Sequence, residues 1–341
     1  MLVRIGTVEA ALVSAMLLTS APAVPGARQP GIALAQTTSP QPAAGEHRYR
    51  VIGRIRFLLF WAGRQELGSG RLNWRLGGSM DTIALLAGSN PLGAPRGINE
   101  WGYLREQVEG ERTVVFSVRT LTEDSLEEAE ARLAEGTGPE LFGALCSTVT
   151  SKVVRSTMTN VRTGPGVTYR DFSRLLDIVG RSTRWSFRDV PTPPGAAPGL
   201  LTALQRLLRD SVVASRASAS VRGAGVSLPY IYGRTTYDLQ LQDSEPIAEF
   251  RIGSQAFHDV IQSRFSIRNR TTNVETAFVM TYGTTGPLAG VPIHAAYQPH
   301  WWLKVELTLD DQIDVPPDPA GNQELLERMR AVCPARGDAN Q

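Results

Sequence analysis

Residues 301–310, WWLKVELTLD, alternate without a break: Trp301, Leu303, Val305, Leu307 and Leu309 take one face, and Trp302, Lys304, Glu306, Thr308 and Asp310 the other. A side-chain period of two is that of a β-strand, and one apolar face backed by one polar face is that of a strand half-buried in an antiparallel sheet. The same signature stands near the other end of the chain. In RYRVIGRIRFLLFW (48–61), Tyr49, Val51, Ile55, Phe57, Leu59 and Trp61 oppose Arg48, Arg50, Arg54 and Arg56. The Gly-rich GRQELGSG then predicts a hairpin turn into RLNWRL, with Leu72, Trp74 and Leu76 inward and Arg71, Asn73 and Arg75 outward. Alternation returns at residues 82–87 and 112–121, and again after Leu228 in the segments around Tyr237–Leu241 and Phe265–Asn269.

Between these two sets the pattern changes. EDSLEEAEARLAE, from Glu123, predicts an acidic helix. Pro139 precedes LFGALCSTVTSKVV, where Leu141, Leu145, Val149 and Val153 recur at a spacing that fits a second helix. Further helices are expected at Tyr169–Val179 and, after the breaker-rich PTPPGAAPG, at Leu200–Val213; a short one from Asn322 closes the chain. Strands grouped with strands and helices with helices favour α+β over a parallel α/β design. The expected fold is a large curved antiparallel β-sheet, half-barrel-like, with a helical layer from the middle of the chain. A sheet of this many strands must curl, because strongly twisted open sheets rarely grow larger.

The N-terminus reads as an export leader: Arg4, a short apolar run from Ala10 to Leu18, and small-residue cleavage sites after Ala23 and Ala35. The apolar run is too short to anchor the chain across a bilayer, and no later stretch reaches that length, so no transmembrane span is expected in the mature chain. The organisation follows as a signal peptide over 1–35, a disordered linker over 36–46, N-terminal strands over 47–122, a helical segment over 123–226, C-terminal strands over 227–315, and a helix and tail over 316–341. The expected location is periplasmic or extracellular. Cys146 and Cys333 are the only cysteines, and in an exported chain two thiols are most simply a disulfide.

The formal charge of +2, from 35 basic and 33 acidic residues, argues against a nucleic-acid partner. No dinucleotide, phosphate-loop, zinc-protease or serine-hydrolase motif is present. Gly68-Ser69-Gly70 leads into a strand and is no nucleophile elbow. STVTSK (147–152) lacks the spacing that sets a lysine one helical turn from a nucleophile. His294 and His300 share a strand face by parity, but six residues separate them by about 20 Å, too far for one metal. No metal site and no cofactor are expected.

GAPRGINEWGYLRE (93–106) crowds breakers, aromatics and charges into one corner. Glu100 and Glu106 are the weak catalytic candidates, as acids of a glycan hydrolase, against a plainer role as ion-pair partners of Arg96 and Arg105. Trp101 and Tyr103 share a strand face and, with Arg54 and Arg56, are the candidate ligand contacts. The arginines opposite the apolar face of the first two strands need counter-charges. These are expected either from the acidic Glu123–Glu130 helix or from an external lipid or anionic envelope component. The function expected is that of an exported bacterial envelope protein, non-catalytic, binding an apolar or amphipathic ligand. The alternatives are an exported hydrolase of a glycan or cell-wall polymer, and a scaffold without a small ligand.

Overall fold

In the computed structural model, residues 44–57, 60–77, 80–90, 100–120, 142–161, 184–217, 225–300, 303–316, 318, 324, 327 and 333 are described. The leader, the expected helices at Glu123 and Tyr169–Val179, the 93–99 loop and most of the C-terminal helix lie outside them.

The strands are β1 Ala44–Phe57, β2 Phe60–Arg75, β3 Thr82–Ser89, β4 Trp101–Glu109, β5 Arg112–Thr120, β6 Phe142–Thr150, β7 Val153–Val161, β8 Arg184–Ser186 and β9 Val190–Pro191. One helix, α1 (Leu200–Ala217), then precedes β10 Val226–Tyr232, β11 Thr235–Ile252, β12 Gln255–Asn269, β13 Glu275–Gly283, β14 Pro292–His300 and β15 Leu303–Leu309. All belong to one sheet, ordered β10-β11-β12-β13-β14-β15-β1-β2-β3-β4-β5-β6-β7-β8, with β9 also beside β7. Every ladder is antiparallel, and the last strand sits inside the sheet, between β14 and β1. This is the expected α+β architecture of a large curved antiparallel sheet.

The sheet curls far enough for its ends to meet across the interior. The Tyr232 hydroxyl of β10 lies 2.7 Å from Ser117 Oγ of β5, and Ser156 Oγ of β7 donates to the Gly233 carbonyl at 3.0 Å. A single parallel bridge, Ala197 to Tyr230, touches the β10 edge. Tight two-residue turns make such a meander possible. At β4–β5 and β10–β11 they carry Gly110 (φ 63°) and Gly233 (φ 62°), in the left-handed region that hairpin turns demand.

Register fixes which residues share a face. On the inner face, Trp74, Ile83, Glu106, Val115, Ser147 and Ser156 form one continuous row. α1 packs there, burying Leu200, Leu201, Ala203, Leu207, Leu208 and Val212 at helical spacing while Arg206, Arg209 and Asp210 face solvent.

Three expectations are corrected. The segment LFGALCSTVTSKVV forms strand β6 and the start of β7, not a helix. Leu145 and Val149 stand four positions apart, an even number that also keeps them on one face of a strand, and the Val/Thr-rich run favours the extended form. GRQELGSG is no turn: β2 already begins at Phe60, which pairs with Phe57, and the glycines lie within β2. Gly68 is needed for close approach, since a Cβ there would lie 1.9 Å from the Gly88 carbonyl oxygen on β3. β1 also begins at Ala44, inside the expected linker.

Candidate functional site

The expected ligand contacts do share one face of the sheet, the outer one. Arg50, Ser69, Gly88 and Trp101 are in register across β1–β4, as are Arg48, Arg71, Leu86, Tyr103 and Val118 across β1–β5. Arg54, two residues beyond Ile52 on β1, pairs with Lys304 of β15. Arg56 lies on β1 opposite Trp61, its side chain outside the described set.

Arg48, Arg50, Arg54 and Arg71 find counter-charges within the chain; the Glu123–Glu130 segment lies outside the described residues. Arg50 pairs with Glu66 and with Asp310 (2.6 Å), Arg71 with Glu46 (2.7 Å), Arg48 more loosely with Glu46 (3.5 Å), and Arg54 with Glu306 (3.0 Å). Arg54 is matched only in part. Its one carboxylate is shared with Lys304 at 2.9 Å and His294 at 3.9 Å, and its Nε is buried without a hydrogen-bond partner. His294 Nδ1 and Thr308 Oγ1, on directly paired residues of β14 and β15, are likewise buried and unbonded. Burial pushes the Glu306 carboxyl upward. Hydrogen bonds from His294 and Lys304 and the charges of Lys304 and Arg54 outweigh it and hold the group down at about 2.

Trp101 and Tyr103 are fully buried on this face. The cover visible over Tyr103 is the chain after β15, which crosses the strands like a strap. Arg48 donates to the Ile313 carbonyl (3.3 Å), Arg71 to the Val315 carbonyl (2.8 Å), and Tyr103 to Asp318 Oδ1 (3.2 Å); Asn73 donates to the other Asp318 oxygen. Farther along, Cys333 is bonded to Cys146 of β6, with Cα atoms 5.4 Å apart. The disulfide was legible from composition, but Cys146 reaches it from a strand and not from a helix. Burial, with the Asp318 charge second, pushes the Tyr103 phenol well above its ordinary value.

The two catalytic candidates do not converge. Glu106 lies on the inner face, opposite to Arg105, and is wholly engaged with α1. Its oxygens accept the Leu201 amide at 2.7 Å, the Thr202 amide at 2.9 Å and the Thr202 hydroxyl at 2.6 Å. Burial pushes its carboxyl up, opposed by these hydrogen bonds and by Arg206. Glu100 is buried at the start of β4, its backbone exchanging hydrogen bonds with Ser89 (amide to Ser89 Oγ 2.8 Å, carbonyl from the Ser89 amide 2.7 Å). Six extended residues separate the two by about 20 Å, whereas glycosidase carboxylates stand about 5–9.5 Å apart. Among the described residues, no three His, Cys, Asp or Glu side chains converge on a metal position, and no helix is long and apolar enough to cross a membrane.

Sequence reasoning missed Glu106 as a cap, and a signal existed. α1 starts after Pro198-Gly199, so its N-cap position has no side-chain oxygen and the cap must come from elsewhere. No family model matches the chain, and no curated protein matches it. Among solved structures, a provisionally assigned lipoprotein from Parabacteroides distasonis aligns over 80% of this chain and 96% of its own, at 11% identity and a TM-score of 0.27. A likeness that loose carries no argument about function.

Proposed function

We propose that the protein is an exported, non-catalytic envelope protein that binds an amphipathic ligand. Two separate surfaces would serve such ligands: the apolar inner face beneath α1 for their chains, and the Arg54 end of the outer face for an anionic headgroup. One observation carries this: the inner face bears a large buried apolar cluster that runs from Val154 on β7 round to Leu239 on β11, with one helix as its described cover. That is the character of sites that take apolar ligands, which use a few placed polar groups for orientation. At Arg54, two cations and a histidine share a single carboxylate, so the local charge favours an anion. Arg56, Trp101 and Tyr103 belong to the same proposal as neighbours of that surface.

The hydrolase alternative loses its support, because Glu106 caps a helix and lies far from Glu100. The test is native mass spectrometry of protein purified from its own envelope, with anionic-vesicle binding of the Arg54→Gln/Arg56→Gln variant alongside. A co-purified lipid, and salt-sensitive vesicle binding that falls in the variant while its melting temperature holds, are expected. Protein that carries no lipid and ignores vesicles would overturn the proposal.

A further inference from the structure

The register places one cation on the apolar inner face. Next to the row that holds Glu106 and Val115 comes Leu72, Leu85, Leu104, Ser117 and Leu145, and next to that Gly70, Ala87, Gly102, Arg119 and Gly143, each set running from β2 to β6. Arg119 and Glu106 are the two charged residues that β4, β5 and β6 put on this face. Glu106 is engaged with α1. Arg119 is half-buried and, among the described residues, has neither an ion pair nor a side-chain hydrogen bond. In this it differs from Arg48, Arg50, Arg54 and Arg71 of the outer face, each of which meets a carboxylate.

Its neighbours leave the guanidinium accessible. The residues paired with Arg119 on both adjacent strands are glycines, Gly102 and Gly143, so neither strand sets a side chain directly beside it. From across the interior, the Tyr232 hydroxyl of β10 reaches Ser117 Oγ at 2.7 Å, one row away. Burial pushes the Tyr232 phenol up and the Arg119 charge draws it back, so the cation lies near that hydroxyl. Tyr230, on the same face of β10, is fully buried and its phenol has no hydrogen-bond partner. The row beyond Ser117's neighbours is apolar, with Leu104 and Leu145 both buried.

One unmatched cation at the end of an apolar face is complementary to an amphiphile with one negative charge at the end of a chain. The charge count selects the headgroup. A carboxylate offers a single charge and two oxygens in a plane, which the guanidinium fork matches, whereas a phosphate dianion would keep a charge without a partner.

We propose that Arg119 binds the carboxylate of a long-chain acid whose chain lies along the Leu104–Leu145 row. This rests on the reading that the inner face takes apolar chains, and it adds that the charge and the chain of one ligand share that face.

Calorimetric titration of the full protein with sodium oleate and with methyl oleate, both below their micellar concentrations, tests it. Oleate is expected to bind about tenfold tighter than the ester. Arg119→Gln should bring oleate down to the ester's affinity, while Arg209→Gln, on the solvent side of α1, should keep the preference. Equal affinities in the wild type, or a preference that survives Arg119→Gln, overturn the Arg119 assignment and leave the chain-binding reading standing. A preference lost equally in Arg209→Gln reports general charge and overturns the assignment too. If neither probe binds, the chain-binding reading fails and this proposal with it. Should Arg119→Gln fail to fold, Arg119→Lys decides: a reduced preference supports the fork, and an unchanged one rejects it.

Discussion

Glu106 accepts the backbone amide of Leu201, 95 residues later in the chain, at 2.7 Å, so a strand residue caps a distant helix. The helix start has only glycine at its own N-cap position, and the carboxylate supplies the missing acceptor while countering the positive end of the helix dipole. Glu106→Ala should therefore destabilise the protein by about 2–3 kcal/mol, since it leaves buried amides unpaired. Glu106→Gln, which keeps one acceptor oxygen, should cost about half as much. Urea denaturation measures both.

Gly199 is tied to the same interaction. A Cβ at this position would stand 2.3 Å from Glu106 Oε1, so Gly199→Ala must push the carboxylate off the helix. Its cost should overlap with that of Glu106→Ala, giving a coupling of about 1 kcal/mol or more in a double-mutant cycle. Simple additivity would show that the cap tolerates the methyl group.

The Glu306 carboxyl sets an acid limb. Its ordinary value of 4.5 is lowered to about 2 in the fold, so the group stabilises the native state above pH 4.5. That contribution, about 3 kcal/mol, is lost progressively as pH falls from 4.5 towards 2. Glu306→Gln should flatten this part of the stability–pH profile and lower stability at neutral pH, leaving Arg54 and Lys304 without their shared partner.

The strap depends on its far anchor. The Cys146–Cys333 bond closes a separation of 187 residues, for which chain entropy allows about 5 kcal/mol as an upper figure. Thiol counting on unfolded, unreduced protein should find none free. Cys333→Ser should lower the melting temperature and, more specifically, accelerate hydrogen exchange at residues 313–316. Unchanged exchange there would show that the strap is held by its hydrogen bonds alone.

Val305 pairs with Tyr297 on β14 and with Gly53 on β1, so it belongs to a strand covered on both edges. Val305→Asp places a charge against the inner face and should abolish soluble expression. Near-normal yield and melting temperature would contradict the central placement.

The strands legible in the sequence were those whose two faces differ, such as Tyr49, Val51 and Leu307 against Arg50 and Glu306. β6 was not, because Leu145 and Val149 stand four apart, a distance that keeps residues on one side of either a helix or a strand. The arginine partners were hidden for another reason. Asp310 and Glu306 lie about 250 residues from Arg50 and Arg54, and only the β1–β15 pairing brings them near. Local pattern reports which face a residue takes, but not which distant segment lies against it.

The β1–β15 pairing also governs the order of assembly. Apart from it, each ladder of the main meander joins strands adjacent in the sequence, so two local meanders can form early: β1 to β8, and β10 to β15. The seam between them cannot close until the last strand has emerged. Until then β1 presents an open edge, the condition under which nascent sheets aggregate or recruit chaperones. A circular permutant cut at residues 218–224, with the last residue linked to the first, would shorten the sequence separation across the seam. With its long-range pairing made local, such a chain should refold faster than the natural one.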